Sequence, residues 1–145
     1  IDNQNFTLGQ SRDLVVYIFE TKGVGTSGPV MLRVARQSGW DFTVPGITLS
    51  GTDQSGISGN VAVGGGTPHE NGNWLFKQNA GFIIITLKSG NAIPMNGMSS
   101  IGLKATVKAG TSPKTTQNLS VAIVDGSGGE IDSSDNLYIT TITAN

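Results

Sequence analysis

The chain has no cysteine and a single histidine. Without cysteine there is no disulfide framework, no thiolate metal site and no cysteine nucleophile, so stability rests on packing and backbone pairing. Charge is also scarce. Charged residues make up 13% of the 145 positions, with nine Lys plus Arg against ten Asp plus Glu and a formal net charge of −1. A nucleic-acid binder carries a basic excess that displaces counterions, so no nucleic-acid partner is expected. Disorder requires low hydrophobicity with high net charge, which 37% hydrophobic residues at near-neutral charge do not offer. No apolar run approaches the ~18 residues of a membrane span, so direct membrane insertion is not expected either. No basic start followed by an apolar stretch marks a signal peptide at Ile1, and a first residue other than Met suggests a segment cut from a longer polypeptide.

What is abundant is Gly, Thr, Ser and Asn, which fill 61 positions. Gly or Pro interrupts almost every window long enough for a helix, whereas two-residue alternation is common. Ile101, Leu103, Ala105 and Val107 alternate with Gly102, Lys104, Thr106 and Lys108, the pattern of a strand with one face on a core and one in water. Leu119–Val124 and Leu137–Ile142 alternate in the same way. Further strands read as Asp13–Thr21, Pro29–Gln37, Trp40–Val44, Ile57–Val63, Asn73–Gln78 and Gly81–Lys88. Val30, Leu32 and Val34 face inward, and Phe82–Leu87, lacking a polar face, reads as a central strand covered on both sides. Ser38-Gly39, Pro45-Gly46, Asn71-Gly72, Ser89-Gly90 and Asn96-Gly97 supply turns between them. About nine strands at this spacing predict an all-β fold, an antiparallel two-sheet sandwich with immunoglobulin-like or Greek-key connections. The surplus over a minimal sandwich lies in Gly46–Asn73, where long loops or an extra edge hairpin are expected. No interior linker is visible, so residues 1–145 read as one domain.

The motifs carry little chemistry. Gly23–Gly28 fits G-x-G-x-x-G, but Pro29 and a strand follow where the dinucleotide fold needs a helix, so it reads as a strand-to-strand loop. His69 lacks the second histidine of a zinc-protease motif and any nucleophile elbow, and it reads as an exposed loop residue after Pro68. Asp125, Glu130, Asp132 and Asp135 place oxygen ligands around one connection, a candidate calcium site, although their spacing is not that of an EF-hand and a solvated turn is the simpler reading. Trp40, Trp74, Tyr17 and Tyr138 offer rings that stack on sugars, with Asn60, Asn71 and Asn73 as hydrogen-bonding neighbours. Trp40 and Trp74 also open apolar strand segments, which favours core packing. Lys77, Lys88, Lys104 and Lys108 are conceivable donors for an internal isopeptide bond, but Lys104 and Lys108 alternate outward as sheet-guarding lysines do.

The order of segments resembles a known family. Asp13–Glu20, Gly25–Gly28 and Val30–Val34 are followed by Phe82–Leu87, Ile93-Pro94-Met95-Asn96-Gly97, Ile101–Thr106, Thr115–Leu119, Gly126–Glu130 and Asp135-Asn136. Together they resemble the immunoglobulin-like conserved-repeat modules of very large surface and secreted proteins of Bacteroidetes-type bacteria, some of them gliding-motility adhesins. The resemblance runs from Asp13 to Ile142 and is weakest over Gly46–Asn73. It implies a repeat domain of an extracellular, cell-surface adhesin, flanked by neighbouring domains of the same polypeptide, and it carries no catalytic residue across. The expected function is therefore a non-enzymatic structural or adhesive module. The alternatives are a carbohydrate-binding module gripping surface polysaccharide through Trp40, Trp74, Asn71 and Asn73, and a fibre subunit that joins another chain through a sheet edge, with Ile1–Gln10 as donor strand.

Overall fold

A computed structural model describes residues 5–20, 25–62, 66–124, 127–129 and 137–144. Among these the fold is all-β, with two short 3₁₀ turns at Asn71–Asn73 and Ser127–Gly129 and no α-helix. Twelve strands form: β1 (Asn5–Phe6), β2 (Ser11–Phe19), β3 (Met31–Ala35), β4 (Trp40–Thr43), β5 (Gln54–Ser55), β6 (Gly59–Val61), β7 (Thr67–His69), β8 (Trp74–Gln78), β9 (Phe82–Leu87), β10 (Met98–Val107), β11 (Thr116–Ile123) and β12 (Leu137–Ala144). Each of the nine expected segments overlaps one of them. The three extra strands, β1, β5 and β7, are two or three residues long and too short to leave an alternation in the sequence.

A seven-stranded sheet runs β1-β12-β11-β3-β9-β8-β5, and a three-stranded sheet runs β2-β10-β4. Strands β6 and β7 pair only with each other, as an antiparallel hairpin within the long Gly46–Asn73 region. All pairings are antiparallel except β1 with β12, where Asn5 lies opposite Thr143 and Phe6 opposite Ala144 in parallel register. The first of the two sheets is therefore mixed. Phe6 is buried in this chain's own core.

Side chains from both sheets merge into one hydrophobic core. On β10 Ile101, Leu103, Ala105 and Val107 are buried and Lys104 is exposed as the alternation predicts, but Gly102, read on the wet face, is buried too. Opposite it β2 turns Leu14 and Ile18 inward and Tyr17 and Phe19 outward. From the larger sheet come Leu32, Val34, Phe76, Ile83, Ile85, Leu119 and Ile142. Each such side chain contributes roughly 1.5–3 kcal/mol through burial. Phe6 meets Trp40 edge-on at 6.2 Å, with the Arg12 guanidinium 4.6 Å from the Phe6 ring.

Two strands differ from their readings. In β12 the apolar set Leu137 and Ile139 is exposed, and the buried residues are Ile142 and Ala144 of the opposite face. β9 is central in its sheet, yet only Ile83, Ile85 and Leu87 are buried. Its other face carries exposed Phe82 and partly exposed Ile84, shielded by the Arg33 guanidinium 5.2 Å from the Phe82 ring rather than by a second layer. The β8–β9 turn is tied by Asn79, whose Oδ1 accepts the N–H groups of Gly81 and Phe82.

Candidate functional site

The tryptophans, candidates for sugar stacking whose apolar strand segments favoured core packing, lie in the core. Trp40 is 2% exposed and Trp74 fully buried, because both sit at inward positions of strands β4 and β8. Neither presents a ring face to a ligand. Asn71 is likewise buried, and Asn73 is half-buried in the turn behind it. The acidic set Asp125, Glu130, Asp132 and Asp135 lies outside the described residues. Of the glycine run, residues 25–28 connect β2 to β3 with no helix, tied down by the Thr26 N–H to the Ile93 carbonyl.

His69 also departs from its reading. It is 4% exposed, on β7, and its imidazole lies on the outward face of β10 over Gly102. A Cβ at Gly102 would come within 2.6 Å of the ring carbon Cδ2, so only glycine admits the histidine there. Burial holds the imidazole pKa below its ordinary value, against the opposing influence of the Asn71 side chain and the Asp13 charge. Its Nδ1 is buried without a hydrogen-bond partner.

The residues after His69 cross the border of the small sheet. β4 pairs with β10 only from Lys104 to Val107, which leaves the same side of β10 open from Met98 to Leu103. Glu70 and Asn71 fill that gap. The Glu70 N–H donates to the Ser100 carbonyl at 2.9 Å. The Asn71 amide nitrogen donates to the Gly102 carbonyl at 3.0 Å, and the Gly102 N–H donates to Asn71 Oδ1 at 2.8 Å. One side-chain amide thus replaces a strand residue, satisfying both backbone groups of Gly102. Beside it the Ser99 hydroxyl donates to Glu70 Oε2 at 2.6 Å and accepts the Trp74 indole N–H at 3.1 Å. The chain then enters β8 of the other sheet. In six residues it passes from outer face (His69) to border (Asn71) to interior (Trp74).

The hairpin that carries His69 rests on the same outward face. Asp13 Oδ2 on β2 accepts the Ala62 N–H at 2.8 Å, and Asp13 Oδ1 faces Lys104 Nζ at 3.8 Å. The cross-strand pairs Asp13–Lys104, Val15–Gly102, Tyr17–Ser100 and Phe19–Met98 form one row along β2 and β10. The hairpin covers the first part of this row. Tyr17, Phe19 and Met98 remain exposed, Phe19 at 62%, with the two aromatic rings 6.3 Å apart and tilted by 31°. Among the described residues this strip sets two exposed aromatic rings side by side, and it was legible only in Tyr17. Phe19, one alternation further on, carries the same outward signal. On the other sheet Leu137, Tyr138 and Ile139 of β12 are also exposed.

Among the described residues no three His, Asp or Glu side chains converge as a metal site would require. The polar groups that do meet are engaged with one another: Ser99 with Glu70 and Trp74, Asn71 with Gly102, and Lys88 Nζ with Ser55 Oγ and the Gly72 carbonyl. No protein-family model matches the chain, and no curated protein matches its sequence.

Proposed function

We propose that the chain is a non-enzymatic, immunoglobulin-like β-sandwich module of a large extracellular surface protein, spacing or presenting an adhesive region. The strand order supports the fold part of this reading. β2-β10-β4 corresponds to the B-E-D sheet of an immunoglobulin domain and β3-β11-β12 to its C-F-G sheet, with β9, β8 and β5 widening the C edge as additional strands do in variable-type domains. Here those extra strands follow the D-like strand β4 rather than preceding it.

The observation that carries the functional part is the parallel pairing of β1 with β12. The first and last strands run side by side in one direction, so the polypeptide enters and leaves along a common axis, as suits a module in line with neighbouring domains. Tension along that axis shears the β1–β12 contact instead of peeling it. The test is to tether single molecules by both ends and pull. A spacer gives one all-or-none unfolding step that lengthens the molecule by several hundred Å, on the scale of ~3.3–3.6 Å per residue. Stepwise unravelling of the two sheets at low force would sink the reading.

A second reading is favoured by one feature. The paired rings of Tyr17 and Phe19 beside Met98 form a platform for surface polysaccharide. Retention on a panel of insoluble polysaccharides, lost in the double variant Tyr17→Ala/Phe19→Ala, supports it. Equal behaviour of both proteins removes it.

A further inference from the structure

We propose that the β6–β7 hairpin is a histidine-latched cover over the outward face of the small sheet, held down at neutral pH and released by acid. The hairpin belongs to neither main sheet: β6 and β7 hydrogen-bond as strands only to each other. The contacts that fix it to the surface beneath include the Ala62 N–H on Asp13, the buried Val61 side chain and the buried imidazole of His69 on Gly102. The last depends on protonation. A neutral imidazole fills the notch that Gly102 leaves, as an apolar ring would. A charged one has to be held there nine-tenths buried, with no hydrogen bond at Nδ1 and with the neighbouring Asn71 amide oxygen, which favours the cation, already taken by the Gly102 N–H.

The charged groups around His69 do not rescue the cation. From β2 comes Asp13, whose carboxylate is already occupied by Ala62 and faces Lys104. From β10 comes Lys104 itself, a second positive charge two residues from Gly102. From the turn that follows comes Glu70, which receives the Ser99 hydroxyl. β6 contributes Gly59, Asn60 and Val61, none of which titrates. Burial therefore dominates, and the docked histidine binds its proton more weakly than a released one. The sign follows. Docking is at full strength above the ordinary histidine value of ~6.5 and weakens as pH falls below it, by up to about tenfold per pH unit, until the docked form also takes up a proton.

Release has a defined consequence. The covered part of the β2–β10 row, with Val15 opposite Gly102, lies directly beside Tyr17 and Phe19. Acid would therefore lengthen the exposed apolar strip from its covered end.

The experiment is amide hydrogen exchange on the full chain at pH 7.5 and 5.5, corrected for the pH dependence of intrinsic exchange. The expected result is a loss of protection in peptides spanning 57–62 and 67–70, approaching tenfold at pH 5.5, with β8, β9 and β11 unchanged. The His69→Phe variant, which keeps a ring and loses the proton, should show no such pH dependence. Equal protection at both pH values, or a pH dependence that survives in His69→Phe, overturns the proposal. If that variant does not fold, the wild-type His69 ring resonance decides by NMR. A titration midpoint clearly below 6.5 supports the latch, and one at or above 6.5 refutes it.

Discussion

The two halves of β10 are bordered on the same side by different means. From Lys104 to Val107 the neighbour is β4, a strand whose backbone supplies the hydrogen bonds. From Ser100 to Gly102 the neighbour is the Glu70–Asn71 corner, where one backbone N–H and one asparagine side chain do the same work. A backbone ladder is nearly indifferent to which residues carry it. A side-chain bridge is not, because the donor and acceptor disappear with the residue. The difference predicts where this fold tolerates substitution.

The largest effect is expected at Asn71. Asn71→Ala leaves the buried N–H and C=O of Gly102 without partners, at about 1–3 kcal/mol each, so urea unfolding should show a loss of roughly 2–6 kcal/mol. A loss below about 1 kcal/mol would mean that water replaces the amide. A smaller effect is expected at the residue bridged. Gly102→Ala drives a methyl into the His69 ring, an overpacking cost of about 1–3 kcal/mol. Combining it with His69→Ala should recover part of that loss, and strict additivity in the double-mutant cycle would show that the two residues do not touch. The smallest effect belongs to the half bordered by β4. Asp41→Asn breaks an exposed 3.5 Å ion pair with Lys108 while leaving the ladder intact, so its cost should stay below about 0.5–1 kcal/mol and shrink in high salt. If Asp41→Asn cost as much as Asn71→Ala, the contrast between the two borders would collapse.

The same contrast explains what could be read in advance. Ile101, Leu103, Ala105 and Val107 declare their face by alternation, since burial of a strand side depends on neighbours along one segment. The outward-facing Gly102 looked like any residue on the wet side. Its role depends on His69, 33 positions earlier, and no local pattern connects the two. Asn71-Gly72 reads as a turn and is one, a 3₁₀ turn, but turn chemistry does not foretell that the asparagine amide is buried in a sheet border. Trp40 and Trp74 sustained two readings because a large ring suits both a core and a sugar platform. Their inward strand positions decided for the core. β12 was misread for a different reason: Leu137 and Ile139 alternate as a core face would, but apolar residues occupy both faces, and it is Ile142 and Ala144 that are buried while Leu137 and Ile139 are left in solvent.

The asparagine border has a bearing on how copies of this molecule behave when crowded. A free strand offers a regular row of amides and carbonyls that a foreign chain can copy, the usual seed of uncontrolled stacking. Along the upper part of β10 that row ends in a single side chain already used at both ends, so no template remains there for a neighbour to extend.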